Sequence, residues 1–169
     1  MKLNLGCGQR HVDGYVNIDI SETNGKKPDV TCDIVHLPYD TGSVDEVMAI
    51  HVIEHIDRSV VLKYLREWAR VLKPEGLLVL ECPDILEACR ELVKNPSLTG
   101  PHGSSQRTMW VIYGDPNWPD PLGVMRHKWG YSVDSLISLA KEAGFRNGRQ
   151  EPAQYRLREP RDIRVVADK

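Results

Sequence analysis

The sequence lacks most of the features that would place it in a specialised class of protein. It has one phenylalanine and four cysteines in 169 residues, and its formal net charge is −2. No apolar run approaches the roughly 18 residues of a membrane span, and no signal peptide is expected because the first residues already predict a strand. The cysteines form no Cys-x-x-Cys pair, which argues against a zinc finger. We therefore expect one cytoplasmic domain over residues 1–169.

Charge is nearly balanced overall but unevenly distributed. Residues 1–90 carry more acidic than basic side chains, and residues 91–169 carry more basic than acidic ones. A basic second half favours an anionic small-molecule acceptor, although a solvated arginine-rich surface explains it equally well. The sequence contains no helix-turn-helix motif and no dense basic stripe, so a nucleic-acid partner is not expected. A homodimer is compatible with this composition.

Apolar runs alternate with amphipathic stretches, which predicts an α/β fold with a mostly parallel sheet. Strands are predicted at 2–6, 16–20, 29–33, 44–50 and 76–82, with a closing antiparallel strand at 163–166. Helices are predicted at 57–72, 84–94 and 133–143. Asp57 is the expected cap of the first helix and Ser132 of the last.

The most informative segment is the run LNLGCG at residues 3–8, which is followed by a second apolar strand ending near Asp19. Gly6 and Gly8 allow a ligand to approach the main chain closely. A carboxylate at the tip of the next strand can accept bonds from ribose hydroxyls. The third glycine of a dinucleotide-binding fingerprint is missing. The pattern predicts a nucleoside cleft at the carboxyl ends of parallel strands.

An ordered series of segments resembles the small, single-domain class I S-adenosylmethionine-dependent methyltransferases. The matching segments are residues 3–8, 16–20 (VNIDI), 32–34 (CDI) with 37–38 (LP), 44–56 (VDEVMAIHVIEHI) and 70–80 (RVLKPEGLLVL). The resemblance implies a Rossmann-like, doubly wound sheet of order 3-2-1-4-5-7-6 with strand 7 antiparallel. A parallel crossover usually takes a dozen or more residues. Because only residues 7–15 separate the first two strands, we expect the first helix of the family to be shortened or absent.

The same resemblance implies S-adenosylmethionine as the cofactor and methyl transfer as the reaction. The implied cofactor-binding residues are Asn4, Gly6, Cys7, Gly8, Asp19, Ile20, Asp33, Ile34, Leu37 and His51. Among them, Asp19 would bind the ribose and Asp33 the adenine amino group. Alternatives stay open for Asn4, as a buried strand residue bonded to its neighbours, and for Asp33, as a turn cap.

His51 follows the fourth predicted strand, and it is the favoured general base because an imidazole titrates near neutral pH. His51 and His55 are four residues apart, as two metal ligands on a helix would be. However, Glu54 does not occupy the position that the His-Glu-x-x-His motif requires. The sequence therefore predicts no metal site, and Glu54 and His55 are expected to be structural.

Residues 95–131 are rich in proline, glycine and tryptophan, and include Trp110, Trp118 and Trp129. A long segment of this kind is usually functional, so we predict a lid or substrate-side insertion over the cofactor cleft. The alternative is an aromatic plug without a ligand role. The acceptor-site candidates are Asp84, His127 and Tyr131, of which Asp84 and His127 join His51 as candidate catalytic residues. A helix cap or a packing aromatic is the alternative for each.

The acceptor itself is inferred by analogy. The segment after the fourth strand lacks the Asn/Asp-Pro-Pro-aromatic sequence of enzymes that methylate amines of nucleic acids. Hydroxyl methylation of a small molecule, such as a sugar or a nucleotide-linked glycan, is the favoured reaction. Two other functions stay open: a non-catalytic S-adenosylmethionine-binding or scaffolding protein, and a transferase using a related nucleoside such as an aminopropyl donor.

Overall fold

The computed structural model describes residues 1–99, 105–117, 120, 122–155 and 162–169. Within these residues, seven strands form one sheet in the order β3-β2-β1-β4-β5-β7-β6. The strands are β1 (Lys2–Leu5), β2 (Val16–Asp19), β3 (Val30–Thr31), β4 (Val44–Ile50), β5 (Leu72–Pro83), β6 (Arg146–Glu151) and β7 (Asp162–Asp168). The first five strands pair in parallel, and β7 is antiparallel to both β5 and β6. The predicted strand order and the antiparallel seventh strand are confirmed.

Four α-helices lie within the described residues. They are α1 (Val61–Val71), α2 (Ile85–Lys94), α3 (Ser105–Tyr113) and α4 (Val133–Glu142), and single 3-10 turns cover Ile53–His55 and Pro96–Thr99. Helix α3 was not predicted from the sequence. Among the helices that the structure describes, none has the length and apolarity needed to cross a membrane.

Helix α1 packs against the sheet through a stripe spaced by four and three residues, as an amphipathic helix requires. The buried residues of the stripe are Val61, Leu65, Trp68 and Val71. The prediction that this helix begins at Asp57 is wrong. The Asp57 carboxylate accepts bonds from the Ser59 N–H at 2.8 Å and the Ser59 hydroxyl at 2.6 Å. These bonds cap a turn ahead of the helix, so that α1 begins only at Val61.

Two strands differ most from prediction. β3 has two residues, and at its predicted start the Asp29 carboxylate accepts the Asn17 main-chain N–H at 2.8 Å. β5 begins at Leu72, which pairs with Val44 before the register shifts. The predicted start at residue 76 therefore lies within the observed strand.

The two faces of the sheet are covered differently. Alternate residues of the central strands point to opposite faces, and the larger core cluster joins one face to α1 and α4. On the other face, Met48, Val79 and Val166 are covered by Val12 and Tyr15 from the β1–β2 connection. That connection, residues 6–15, contains no helix. The predicted loss of the first helix is confirmed, and its place on the sheet is taken by two loop side chains.

Candidate active site

A cleft of about 860 Å³ lies at the carboxyl ends of the parallel strands. Its volume falls in the range of small-molecule sites, about 300–1,000 Å³. It lies where the chain order reverses between β1 and β4, the position at which open α/β sheets bind ligands. Two walls face each other across it. The cofactor wall consists of residues 6–8, 19–24 and 32–34, and the acceptor wall consists of α3 and residues 122–128.

The loop after β1 brings main chain to the cleft. The Cys7 N–H donates to the Ile18 carbonyl at 3.0 Å, which extends the pairing of β1 with β2. Gly6 has a φ of +61°, and a Cβ there would lie 2.6 Å from Val52 Cγ2. A Cβ on Gly8 would meet no protein atom within 4 Å. The space in front of Gly8 is therefore open to a ligand.

Asp19 joins two strand tips at the cofactor wall. Its Oδ2 accepts the Gly8 N–H at 2.7 Å, and its Oδ1 accepts the Ile20 N–H at 2.7 Å. A carboxylate oxygen can accept more than one hydrogen bond, so each oxygen keeps a lone pair for a ligand hydroxyl. Ile20 is 47 % exposed and lines the same cleft.

The third strand tip supplies Asp33 and Ile34, which also line the cleft. Asp33 Oδ1 accepts the Val35 N–H at 3.0 Å, so this carboxylate caps its own turn. The Ile34 carbonyl accepts the indole N–H of Trp68 at 2.9 Å, which ties this tip to α1. The capping alternative for Asp33 is therefore present in the structure, and its position in the cleft keeps the adenine prediction open.

Besides Tyr131, three predicted site residues do not line the cleft. Asn4 is buried, and its amide donates to the Arg10 carbonyl at 2.8 Å and to Asn17 Oδ1 at 2.9 Å. Leu37 belongs to the hydrophobic core. Asp84 caps α2 by accepting the N–H two residues later at 2.9 Å. In each case the observed contacts hold the fold together, as the structural alternatives for Asn4 and Asp84 predict.

The predicted base His51 lies between two carboxylates. Its Nδ1 is 3.1 Å from Glu54 Oε1, and its Nε2 is 3.4 Å from Asp162 Oδ2. Burial alone would lower the pKa of His51, but the neighbouring carboxylates of Asp162 and Glu54 outweigh burial and raise its pKa to about 8. The charged ring forms ion pairs with both carboxylates, and neither contact has the geometry of a hydrogen bond. This arrangement suits a residue that positions carboxylates better than it suits a base.

A second group of side chains lies beside this triad. His127 Nδ1 contacts the Val111 carbonyl at 2.9 Å, and its ring meets the His55 ring edge-on at a centroid distance of 4.8 Å. Because a carbonyl only accepts, Nδ1 carries the proton and Nε2 keeps the lone pair. Burial lowers the pKa of His127. Burial raises the pKa of Glu54, but the nearby imidazoles lower it by more, so the net change in the pKa of Glu54 is a decrease.

Comparison with known proteins indicates the type of reaction. Residues 3–80 match the model of a family described as a methyltransferase domain. The chain superposes on S-adenosylmethionine-dependent methyltransferases from Archaeoglobus fulgidus (TM-score 0.63, 17% identity, 99% of this chain and 85% of that chain) and Methanosarcina mazei (TM-score 0.64, 17% identity, 99% and 91%). The chain therefore contains a methyltransferase domain in just under half of its length, and as a whole it has the fold of the class I S-adenosylmethionine-dependent methyltransferases.

A third similar structure shows ligands of this type of enzyme. It is the 1,6-didemethyltoxoflavin-N1-methyltransferase of Burkholderia thailandensis with bound 1,6-didemethyltoxoflavin and S-adenosylhomocysteine (TM-score 0.60, 13% identity, 99% of this chain and 70% of that chain). At these identities the likeness concerns the fold. No curated protein sequence matches the methyltransferase.

The residues of the cofactor wall fit S-adenosylmethionine, the cofactor of the methyltransferase. Space is open in front of Gly8, and Asp19 has lone pairs that two ribose hydroxyls could use. The cleft is also rich in carboxylates, which suits a cofactor that carries a positively charged sulfur. The predicted assignments of Asp19 to the ribose and of Asp33 to the adenine therefore remain predictions that this geometry permits.

The acceptor wall contains the described part of the predicted lid. Trp110, Val111 and Met125 line the cleft beside His127. Trp129 is 49 % exposed. Trp118 lies outside the described residues. Tyr131 lies in the core with an exposure of 2 %, and it does not line the cleft.

Two residues of the site were missed or undervalued at the sequence level. Asp162 was not predicted, although its position follows from topology. β7 runs antiparallel to β5, and Asp162 pairs with Pro83, so the first residue of β7 lies at the carboxyl edge of the parallel strands. Glu54 was expected to be structural only, yet its carboxylate lies within the histidine cluster.

Proposed function

We propose that the methyltransferase transfers the methyl group to a hydroxyl of a neutral small molecule, such as a sugar. The observation that carries this proposal is the charge of the whole cleft. Carboxylates outnumber cations there: Asp19, Glu22, Asp33, Asp57, Asp115, Asp120 and Asp162 against Arg10, Arg107, Lys128 and the imidazolium of His51. Carboxylates accept hydrogen bonds from hydroxyl groups but repel phosphate and carboxylate groups.

An anionic acceptor, and with it a nucleotide-linked glycan, gains no support from this cleft. Among the basic residues of the second half that the structure describes, Arg107 and Lys128 line the cleft. Trp110 adds an aromatic surface to the acceptor wall. A neutral sugar combines hydroxyl donors with an apolar C–H face, so it matches both the carboxylates and the indole. These features support a neutral acceptor without identifying it.

The chain contributes mainly by positioning. S-adenosylmethionine supplies a methyl group on a positively charged sulfur. Methyl transfer is an in-line displacement, so the acceptor oxygen, the methyl carbon and the sulfur must be held in a line. Asp19 and the glycine loop would hold the cofactor. His127 would meet the acceptor hydroxyl, because its Nε2 keeps a lone pair while Nδ1 is engaged by Val111.

Cofactor binding is tested by calorimetric titration with S-adenosylmethionine and S-adenosylhomocysteine. Asp19→Asn should weaken binding by about 1–3 kcal/mol, the scale of hydrogen bonds to a charged group. Asp13→Asn is the matched control, because Asp13 is an exposed carboxylate of the β1–β2 connection, close to Asp19 in sequence, and it does not line the cleft. Equal affinities for wild type and Asp19→Asn would contradict the ribose assignment.

Turnover is tested by release of S-adenosylhomocysteine across a panel of neutral sugars together with their amino and phosphorylated derivatives. We expect release with neutral members of the panel. Release with phosphorylated derivatives alone would overturn the charge argument, and release with amino derivatives alone would overturn the choice of a hydroxyl. Tight cofactor binding without any release would favour the scaffolding alternative.

A further inference from the structure

Glu54, His55 and His127 form a cluster in which one ligand atom from each side chain lies within 4.8 Å of the others. The first two residues belong to the 3-10 turn after β4, and the third precedes α4. His55 and His127 line the cleft, and Glu54 lies behind them with an exposure of 2 %. The cluster therefore lies at the boundary between the protein interior and the cleft.

Both imidazoles are oriented by main-chain carbonyls. His55 Nδ1 is 3.3 Å from the Arg126 carbonyl, and His127 Nδ1 is 2.9 Å from the Val111 carbonyl. The Val111 carbonyl lies in the last turn of α3, where helix carbonyls lack helical partners. Each contact places the proton on Nδ1 and the lone pair on Nε2. Histidines that bind metals are commonly held in this way, with the remote nitrogen donating to a carbonyl or a carboxylate.

Glu54 is a buried carboxylate whose hydrogen bonding is incomplete. Its Oε1 lies 3.1 Å from His51 Nδ1, but neither Oε1 nor Oε2 makes a hydrogen bond within the part of the chain that the structure describes. On its far side His51 faces Asp162 at 3.4 Å. His51 is thus shared between two buried carboxylates, and the Glu54 carboxylate is left without a hydrogen bond. A buried charge is costly unless it is paired or binds a metal.

The main chain holds the two parts of the cluster together. The Glu54 carbonyl accepts the Lys128 N–H at 2.8 Å and the Trp129 N–H at 3.2 Å. These bonds fix the segment that carries His127 against the turn that carries His55. The three side chains are therefore brought together by backbone bonds and not by a mutual ion pair alone, as a preformed binding site requires.

We propose that Glu54, His55 and His127 bind a divalent first-row transition-metal ion. Two imidazoles and one carboxylate favour zinc, iron(II), cobalt or manganese over calcium and magnesium, which prefer oxygen ligands. Bonds of about 2.0–2.2 Å place tetrahedral ligand atoms roughly 3.4 Å apart. The side chains would therefore move inwards on binding, and His51 would hold the carboxylate by its outer oxygen.

The open coordination position would face the cleft, because two of the three ligands line it. A role for the ion in catalysis rests on the proposed function. With the ion bound, His127 Nε2 is a ligand and no longer meets the acceptor hydroxyl; the hydroxyl would instead bind the ion and release its proton to solvent. The oxygen would then form a bond to the methyl carbon as the carbon–sulfur bond breaks, which yields a methyl ether and S-adenosylhomocysteine.

The site is tested on the full chain after treatment with a chelator. Titration with Zn²⁺ by calorimetry should show one site, and Co²⁺ should give visible d–d absorption without a thiolate charge-transfer band. His55→Gln and His127→Gln should each weaken Zn²⁺ binding by at least the roughly 10–100-fold that loss of an outer-shell partner causes. His36→Gln is the matched control, because His36 is exposed and does not line the cleft.

S-adenosylmethionine affinity measured on the same variants shows whether the fold and the cofactor wall persist. Unchanged cofactor binding with lost Zn²⁺ binding supports the site. Absence of Zn²⁺ binding by the wild type, equal binding by all variants, or a thiolate band with Co²⁺ would overturn it. If one Zn²⁺ binds through these histidines but the protein methylates no hydroxyl, then the metal site is supported and the proposed function is contradicted.

Discussion

The two walls of the cleft are built by different means. The cofactor wall consists of short loops that continue directly from strand tips and bond to neighbouring strands, as when the Cys32 N–H donates to the Asp19 carbonyl at 3.0 Å. The acceptor wall depends on contacts between distant parts of the chain, such as His55 with the carbonyl of Arg126, 71 residues away. The first wall presents main-chain groups and three carboxylates, and the second presents apolar side chains together with Arg107, His127 and Lys128.

This difference assigns separate tasks to the two walls. Binding one invariant cofactor needs a fixed frame, which the sheet provides. Recognising a particular acceptor needs side chains that can differ between enzymes of one fold, and loops and inserted segments supply them. Substitutions in one wall should therefore alter one ligand and spare the other.

The largest expected effect comes from the core beneath the cofactor wall. Trp68 is fully buried, and its indole N–H bonds to the Ile34 carbonyl at 2.9 Å. Trp68→Ala should lower the free energy of unfolding by about 3–5 kcal/mol, as large-to-small changes of buried aromatics do. Trp68→Phe keeps a smaller aromatic ring and loses the bond, so it should cost less than Trp68→Ala but more than the roughly 1 kcal/mol of a hydrogen bond alone. Urea denaturation measures both.

Trp68→Phe also bears on the comparison of the walls. Release of the Ile34 carbonyl should weaken S-adenosylmethionine binding and leave acceptor KM unchanged. If acceptor KM rises and cofactor affinity stays unchanged, then α1 supports the acceptor wall, and the proposed separation of tasks between the two walls fails.

Gly114 tests the acceptor wall directly. Its φ is +84°, and a Cβ there would lie 2.8 Å from the Met125 carbonyl oxygen and 3.4 Å from the His127 ring. Gly114→Ala should cost about 2–4 kcal/mol, because it combines left-handed strain with overpacking against backbone. Acceptor KM should rise while cofactor affinity stays the same. Gly123→Ala is the control, since Gly123 has a φ of +67° and open space around it.

Gly6 is the matching position in the cofactor wall. Gly6→Ala would push against Val52, a side chain that can shift, so we expect a smaller loss of about 1–3 kcal/mol. Cofactor affinity should fall and acceptor KM should not change. Gly14→Ala is the control, because Gly14 has a φ of +81° and a Cβ there would meet no atom, so this change introduces the backbone strain without a steric contact. Opposite results at Gly6 and Gly114 would reverse the assignment of the walls.

Much of the cofactor wall could be predicted from the sequence. Each strand tip carries its own motif, and parallel strands bring their carboxyl ends to one edge, so local motifs are enough to assemble the glycine loop with Asp19 and Asp33. The direction of a side chain is harder to predict. Asn4 lies in the same motif, yet it is buried against Asn17 and does not line the cleft.

The acceptor wall could not be predicted in the same way. The histidine cluster needs Glu54 and His127 to meet, and nothing local to either residue indicates this. The contact depends on main-chain bonds from Lys128 and Trp129 to the Glu54 carbonyl. Helix α3 was also missed, because the proline and glycine around it favour a loop prediction. The protonation of His51 likewise depends on Asp162, which comes from the far end of the sequence.

The smallest expected effect lies outside both walls. Ser132 and Ser135 form a capping box at the start of α4, with bonds of 3.3 and 2.8 Å between side chain and main chain. Ser132→Ala should cost about 1 kcal/mol, the usual value of a lost N-cap, and Ser138→Ala on the exposed part of α4 should cost less. Neither residue lines the cleft, so both ligand affinities should be unchanged. A shift in acceptor KM for Ser132→Ala would mean that α4 sets the position of His127, and the acceptor wall would then extend into the core of the domain.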